Sequence, residues 1–213
     1  GRLVNAAKPA ARAGRADFLL IASMFEAGSH VLDVGCDDGG LLALLAEEKN
    51  VDGRGIELGQ DGVNESVSRG LSVIQGDANT DLYDSPDGAF DYVILSRTLP
   101  AIHRPRDVLT EMLRISRHAI VSIPNAGYWR HRLYLLLRGK MPVTDSDEAT
   151  WWNADNIHPC TIRDFILLCT ENGFTIERRV QLGSGGRAIR FSKNATFANF
   201  FGEQAVFQLT KKS

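Results

Sequence analysis

The chain has 213 residues, of which 44% are hydrophobic, and a formal net charge of −2. This length can bury a full core as one domain, and the charge excludes a general attraction to nucleic acid or anionic membranes. The three cysteines are widely spaced, and no CxxC motif, His/Cys metal cluster or long apolar run appears, so we expect a cytoplasmic protein without a disulfide framework, bound metal or membrane span.

The chain is predicted to form one domain over residues 15–213, after a loose N-terminus at residues 1–14 that lacks the apolar core of a signal peptide. Beyond it, short apolar runs alternate with stretches of helical periodicity. The predicted elements, in chain order, are helix Ala16–Phe25, strand His30–Val34, helix Leu41–Glu48, strand Gly53–Leu58, helix Gly62–Arg69, strands Leu71–Gln75 and Phe90–Ser96, helix Arg106–Ser116, strand His118–Ile123, helix Ile162–Asn172, and strands Phe174–Gln181 and Gln204–Thr210. This order predicts the α/β class, with a parallel sheet covered on both faces.

Residues 128–159 interrupt the alternation and are predicted to belong to a cap at residues 126–160. The segment is basic and aromatic at first (YWRHRLYLLLRGK), then acidic (DSDE), then aromatic again at Trp151 and Trp152. A segment of this length is usually functional or has structure of its own. The two tryptophans are predicted either to pack in the cap or to line a substrate pocket.

The basic part of the cap, Tyr128 to Lys140, has three interpretations. The first is an amphipathic helix over a ligand cleft, with Leu133, Leu136 and Leu137 buried. The second is a docking surface for a partner protein, because aromatic residues and arginine are enriched at interface hot spots. The third, RNA binding, is disfavoured because the net charge is negative and no RNA-binding motif accompanies the segment.

A glycine-rich turn, within VLDVGCDDGG at residues 31–40, follows the first predicted strand. Glycines there let the backbone approach a ligand, and the next helix offers unpaired N–H donors. A dinucleotide fingerprint would need a glycine where Asp37 stands, between Gly35 and Gly40. Asp37 would repel a pyrophosphate, which disfavours NAD and an oxidoreductase. S-adenosylmethionine has a cationic sulfonium and amino group and no phosphate, so the acidic turn favours it.

Two further acidic residues follow the next two strands. Glu57 ends the second strand, about 20 positions after Gly35, where a carboxylate can accept hydrogen bonds from both ribose hydroxyls. Asp77 follows the third strand, and its carboxylate can accept from an adenine amino group. With Asp33 they predict one constellation at one edge of the sheet, although each residue alone is as readily structural.

The segments VLDVGCDDG, GRGIEL, VIQGDA and FDYVILS resemble the motifs of class I S-adenosylmethionine-dependent methyltransferases. Within that superfamily the chain is more similar to the methionine biosynthesis protein MetW family, through FDYVILSRTL, RPRDVLTEMLR, AIVSIPNAGYWRHRLYLLLRGKMPVT, NIHPCTIRDF and EQAVFQL. This resemblance runs from about Arg15 to Leu209. It implies a Rossmann-like, three-layer αβα sandwich around a mostly parallel seven-stranded sheet whose last strand is antiparallel.

The resemblance also implies the residues that surround the cofactor. The predicted set contains Asp33, Gly35, Cys36, Asp37, Gly39, Glu57, Leu58, Asp77, Ala78 and Ser96. One residue departs from the family pattern, since Asp37 stands at a usual glycine. Asp adopts the left-handed conformation more readily than most residues, so the turn is predicted to persist.

Methyl transfer to oxygen or nitrogen often needs a base, or at least a positioned acceptor. Weak catalytic candidates are His103 after the fourth strand, and Asn125, Tyr128 and His131 after the fifth; His158 precedes a late helix. Each of these side chains is more readily structural than catalytic.

Two functions stay open. The first is methyl transfer from S-adenosylmethionine to an unidentified small molecule, which leaves S-adenosylhomocysteine. The second follows from the resemblance: a non-catalytic S-adenosylmethionine-binding partner that supports or regulates a homoserine O-acyltransferase of methionine synthesis.

Overall fold

The structure is a computed structural model, and it describes residues 17–142, 157–184, 186–189 and 195–211. The predicted loose N-terminus at residues 1–14 and the predicted roles of Trp151 and Trp152 lie outside these residues.

Eight strands of the described residues form one sheet, in the order β3-β2-β1-β4-β5-β8-β6-β7. They are β1 (His30–Val34), β2 (Asp52–Glu57), β3 (Ser72–Gln75), β4 (Phe90–Ser96), β5 (Ser116–Pro124), β6 (Phe174–Leu182), β7 (Ala188–Ile189) and β8 (Gln204–Lys211). Neighbours from β3 to β5 are parallel, and β8 runs antiparallel to β5 and β6. The α/β class and the antiparallel last strand are therefore confirmed. The two-residue β7 adds a short eighth strand to the seven that were predicted.

Seven α-helices occur among the described residues, with a short 3-10 helix after β3 and another after β4. They are α1 (residues 17–22), α2 (Gly40–Lys49), α3 (Gln60–Ser68), α4 (Pro105–Ile115), α5 (Trp129–Arg138), α6 (Ile162–Glu171) and α7 (Ala195–Phe201).

The helices cover both faces of the sheet because the strands are apolar on both sides. Along β4, Tyr92 and Ile94 pack with α1 and α2, whereas Val93 and Leu95 pack with α4 and α6. All four side chains are buried, which is typical of a central parallel strand. The structure therefore has the three αβα layers that the resemblance implies.

Most predicted elements agree with the structure to within two residues, and the main difference concerns the cap. Its basic part does form a helix, α5, but Leu133, Leu136 and Leu137 are exposed on it, so the predicted burial of these leucines is wrong. The helical periodicity was correct, but periodicity alone does not say whether a helix turns its apolar side towards the domain.

Candidate functional site

The glycine-rich turn between β1 and α2 depends on three left-handed residues. The φ angles are 70° at Gly35, 49° at Asp37 and 73° at Gly39. Glycine adopts this conformation without cost, and Asp tolerates it better than most residues. The prediction that the turn persists with an aspartate at position 37 is therefore confirmed.

The turn packs closely against the loop that follows β4. A side chain added at Gly35 would bring its Cβ to 2.7 Å from the Thr98 Oγ1 atom. That hydroxyl donates a hydrogen bond to the Ser96 carbonyl at 2.9 Å. Glycine at position 35 is thus required by both the backbone angle and the neighbouring loop, and Thr98 is a site neighbour that the sequence did not indicate.

Glu57 lies beside this turn, as predicted from its position at the end of β2. Its Oε2 atom accepts a hydrogen bond from the Asp37 N–H, and its Oε1 atom accepts one from the Gly59 N–H, both at 2.8 Å. The Gly35 N–H also donates to the Ile56 carbonyl at 2.8 Å, which joins the ends of β1 and β2. Each carboxylate oxygen of Glu57 retains a second lone pair for a ligand hydroxyl.

Asp33 is the most unusual group of the site. Its side chain is buried, and its Oδ1 atom has no hydrogen-bond partner among the described residues. Burial, and then the charge of Glu57, raise the pKa of Asp33 from 3.8 to about 7. A buried carboxylate without a partner is costly unless a cation or donor compensates it. A buried carboxyl group of this kind fits a cationic ligand group, such as the amino group or the sulfonium of S-adenosylmethionine.

Asp77 and Ala78 lie at the end of β3, next to Glu57. The Gly76 N–H donates to the Glu57 carbonyl at 3.0 Å. The Asp77 Oδ1 atom accepts from the Asn79 backbone N–H at 2.8 Å and from its side-chain amide at 2.7 Å, so this carboxylate also shapes its own turn. Ala78 packs against the main core. The ends of β1, β2 and β3 thus meet at one edge, as predicted.

The three other predicted cofactor neighbours differ in their surroundings. The Cys36 side chain is buried with Leu42 in a small core, and burial, followed by Asp33, raises its pKa to about 12. Cys36 can therefore offer a ligand its backbone but not a thiolate. Leu58 is 66% exposed beyond β2. The Ser96 hydroxyl lies 3.3 Å from the Ser122 hydroxyl, at the adjoining ends of β4 and β5.

Not all acidic groups of the turn are available to a ligand. Asp38 forms an ion pair with Arg69 at 2.9 Å and accepts a hydrogen bond from the Gly40 N–H at the start of α2. Partial burial, and then Asp38 and Glu57, raise the pKa of Asp37. By contrast, Asp33, Asp37 and Glu57 form no ion pair with another described side chain.

Among the catalytic candidates, Asn125 has a structural role. Its amide nitrogen donates to the Asn199 and Gly202 carbonyls, and its oxygen accepts from the N–H groups of Gly127 and Ile162. These four bonds use the whole side-chain amide and leave none for a substrate.

The histidine and tyrosine candidates follow β4 or β5, except His158, which precedes α6. His131 packs edge-on against the buried ring of Tyr128, and its Nδ1 atom is 3.3 Å from the Asn125 carbonyl. His103 is exposed, and its carbonyl lies 3.4 Å from the His158 Nε2 atom. Only His131 of these four histidine and tyrosine side chains lines the cavity described next.

A cavity of about 160 Å³ opens between the end of β5, helix α5 and the segment before α6. Its wall is mostly apolar and includes Pro100, Pro124 and Cys160, with His131 and Arg132 as polar groups. Burial raises the pKa of the Cys160 thiol to about 11, so this group is neutral near pH 7. The cavity has the size of a small organic molecule.

The fold of this chain is also found in solved structures. An S-adenosylmethionine-dependent methyltransferase from Thermotoga maritima superposes with a TM-score of 0.64, at 18% identity, over 94% of this chain and 90% of its own. The cyclase SpnF gives 0.63, at 18% identity, over 93% of this chain and 80% of its own. Since a cyclase shares the fold, these likenesses establish the fold and leave the reaction open.

A curated relative gives a closer likeness in sequence. The bifunctional methionine biosynthesis protein MetXA/MetW of Rhodopirellula baltica is 35% identical over 169 residues, which cover 75% of this chain. The chain spans only 27% of that relative's length. No helix among the described residues is both long and apolar enough to cross a bilayer. The sequence profile of the family "Methionine biosynthesis protein MetW" matches residues 15–209, and the chain therefore belongs to the MetW family.

Proposed function

We propose that this chain binds S-adenosylmethionine at the edge formed by β1, β2 and β3. The observation that carries the proposal is Asp33, a buried carboxyl group whose Oδ1 atom has no hydrogen-bond partner among the described residues and which lies within the influence of the Glu57 charge. A cationic ligand group at this position would compensate a charge that the protein leaves uncompensated.

The proposed contacts follow from which atoms remain available. Asp33 would hold the cationic amino-acid end of the cofactor, and Glu57 would accept hydrogen bonds from the ribose hydroxyls. Asp77 would accept from the adenine amino group with the lone pairs that Asn79 does not use. When bound, S-adenosylmethionine supplies an electrophilic methyl group.

The first proposed activity is methyl transfer to an unidentified small molecule in methionine biosynthesis. The cavity of about 160 Å³ at the ends of β4 and β5 supports it, because a small acceptor fits there. His131 would serve as a proton acceptor: if its Nδ1 atom donates to the Asn125 carbonyl, the Nε2 atom carries the free lone pair.

The second proposed activity is support or regulation of a homoserine O-acyltransferase, with S-adenosylmethionine as the sensed ligand. The Rhodopirellula relative favours it, since its name joins MetXA and MetW in one chain. Two functions on one polypeptide stay within reach of each other, which raises their effective concentration. Both activities require the same cofactor site.

Titration calorimetry tests the shared site and then separates the two activities. We expect micromolar binding of S-adenosylmethionine and S-adenosylhomocysteine and no binding of NAD, and an absence of cofactor binding would refute the proposal. Formation of S-adenosylhomocysteine with a panel of pathway metabolites would support methyl transfer. A change in the acyltransferase rate on addition of this chain, without such turnover, would support the partner function.

A further inference from the structure

Helix α5 exposes apolar side chains that an amphipathic helix normally buries. All ten of its residues are described, and none of them is buried. Leu136 is 80% exposed and Leu137 is 71% exposed. Because a surface helix usually turns its apolar stripe towards the core, these leucines lack a packing partner among the described residues.

The side of α5 that faces the domain carries different residues. His131, Arg132 and Leu135 line the cavity against the end of β5. At 3.6 residues per turn, Leu133 and Leu137 lie on the opposite side of the helix. The helix is therefore held to the domain along one side and presents apolar residues on the other.

Helix α7 exposes a second set of apolar side chains and contacts α5 through Arg132. Phe197, Phe200 and Phe201 are exposed, and the ring centroids of Phe200 and Phe201 are 5.0 Å apart. The Arg132 guanidinium lies over the Phe200 ring, 5.7 Å from its centroid, and joins the two helices. We call the exposed residues of both helices the α5–α7 patch: Leu133, Leu136, Leu137, Phe197, Phe200 and Phe201.

The surroundings of the patch on α5 are basic. Residues 128–142 contain Arg130, Arg132, Arg138 and Lys140 and no acidic residue. An apolar surface with aromatic rings and arginines has the composition of a protein–protein hot spot. Its complement would be an apolar surface flanked by carboxylates.

We propose that the α5–α7 patch is the docking surface for the homoserine O-acyltransferase. The inference rests on the partner function proposed above and assigns it a location. The patch lies on α5 and α7, and the proposed cofactor groups lie at the ends of β1 to β3. The acyltransferase and the cofactor would therefore bind at the same time.

The charge of the patch disfavours a second copy of this chain. In a two-fold dimer each patch would face its own copy, which would bring Arg130 and Arg138 of one chain near the same arginines of the other. Like charges at such an interface cost binding free energy. A basic helix with exposed leucines could also bind an anionic membrane, but the chain that joins MetXA and MetW favours the protein partner.

Two double variants test the assignment. Leu136→Glu with Leu137→Glu changes the most exposed residues of the patch, and no core packing is lost because both side chains are outside the core. The matched control is Val67→Glu with Leu167→Glu, which adds the same charge at residues that are 53% and 54% exposed on α3 and α6. The binding of each purified protein to the homoserine O-acyltransferase of the source organism is measured by calorimetry.

We expect the patch variant to bind the acyltransferase at least tenfold more weakly, and the control variant to bind within twofold of the parent. Both should retain the parent's affinity for S-adenosylmethionine. Unchanged acyltransferase binding by the patch variant would overturn the inference. So would sedimentation that shows a dimer which only the patch variant disrupts, or loss of binding to phosphatidylglycerol vesicles with acyltransferase binding retained.

A parent chain that binds the cofactor but not the acyltransferase would refute the docking surface and the partner function together. Acyltransferase binding that the patch variant preserves would refute the docking surface alone. The two failures are thus distinguishable from the same titrations.

Discussion

The edge at β1 to β3 and the α5–α7 patch are organised in opposite ways. At the edge, polar groups are held in place by backbone hydrogen bonds, as when Glu57 accepts from the N–H groups of Asp37 and Gly59. At the patch, apolar side chains are exposed on helices, with Leu136 as the extreme case. Fixed carboxylates suit a small cationic ligand, whereas a broad apolar surface with arginines suits a macromolecule.

Both regions lie against the same sheet. Among the described residues, no hydrogen bond connects the acidic residues of the edge with the residues of the α5–α7 patch. Asn125 holds the patch side together by connecting the end of β5 to α6 and α7. Asp33 lies next to the last residue of β1, and its ionisation in a buried position costs free energy. The patch side is thus stabilised by the buried hydrogen bonds of Asn125, whereas the edge contains a buried carboxyl group whose ionisation costs free energy.

The largest expected effect comes from Asn125→Ala. The change would leave the buried partners of four hydrogen bonds unpaired, and we expect the free energy of unfolding to fall by about 3–5 kcal/mol. Denaturant unfolding measures it. Asn172→Ala is the control, because Asn172 makes one partly buried bond to the Leu168 carbonyl and should cost about 1 kcal/mol. If both variants lost the same free energy of unfolding, the four hydrogen bonds of Asn125 would contribute no more than the one of Asn172.

Asp33→Asn is expected to raise the free energy of unfolding at neutral pH. The folded-state pKa of Asp33 is about 7, above that of an unfolded aspartate, so ionisation of this group opposes folding at neutral pH. The resulting loss of stability begins near pH 4, grows as the pH rises and is complete above pH 7, where it reaches on the order of 4 kcal/mol. Asp33→Asn should therefore match the parent near pH 4 and be more stable at pH 8.

Asp33→Asn should also weaken binding of S-adenosylmethionine, by about 1.5–3 kcal/mol, the range for a hydrogen bond to a charged group. In the parent, affinity should rise with pH up to about 7, because a cationic ligand favours the ionised carboxylate. Calorimetry between pH 5.5 and pH 8 measures both effects. If the affinity of the parent did not change with pH, Asp33 would not be a contact of the cofactor.

Sequence reasoning located the edge because its signals are local. Gly35 and Gly39 mark a turn, and Glu57 and Asp77 follow strands whose apolar runs are easily recognised. The ion pair of Asp38 with Arg69 joins residues 31 positions apart, and the left-handed Arg97 at φ 60° follows a strand without any special residue type. Long-range pairs and backbone strain of this kind leave no periodic pattern in a sequence.

The cap was predicted less well, for a related reason. The spacing of apolar residues in α5 was correct, but its direction depends on contacts with β5 and α7 that are remote in sequence. Asn125 was considered as a catalytic candidate because it follows the fifth strand. Its role as a connection became visible only with its partners Asn199 and Gly202, which lie more than 70 residues away.

A smaller effect on affinity is expected from Glu57→Gln than from Glu57→Ala. Alanine removes both carboxylate oxygens, including those that fix Asp37 and Gly59, and should weaken cofactor binding by about 1.5–3 kcal/mol. Glutamine retains one oxygen and should lose roughly half of that. Equal affinities in the parent and the alanine variant would mean that the ribose is not bound at Glu57.

The smallest effect is expected from Asp37→Gly, which restores the residue usual in the family. At φ 49° an aspartate is mildly strained, and glycine relieves that strain while it increases the freedom of the unfolded chain, so stability should change by less than about 1 kcal/mol. Loss of the side chain also relieves the repulsion of Asp37 by Asp38 and Glu57, and it leaves the backbone N–H that donates to Glu57 in place. We therefore expect S-adenosylmethionine to bind as tightly as to the parent or more tightly. A clear loss of affinity in calorimetry would mean that the Asp37 carboxylate itself contacts the ligand, and the edge would then rely on charge at the turn as well as at the strand ends.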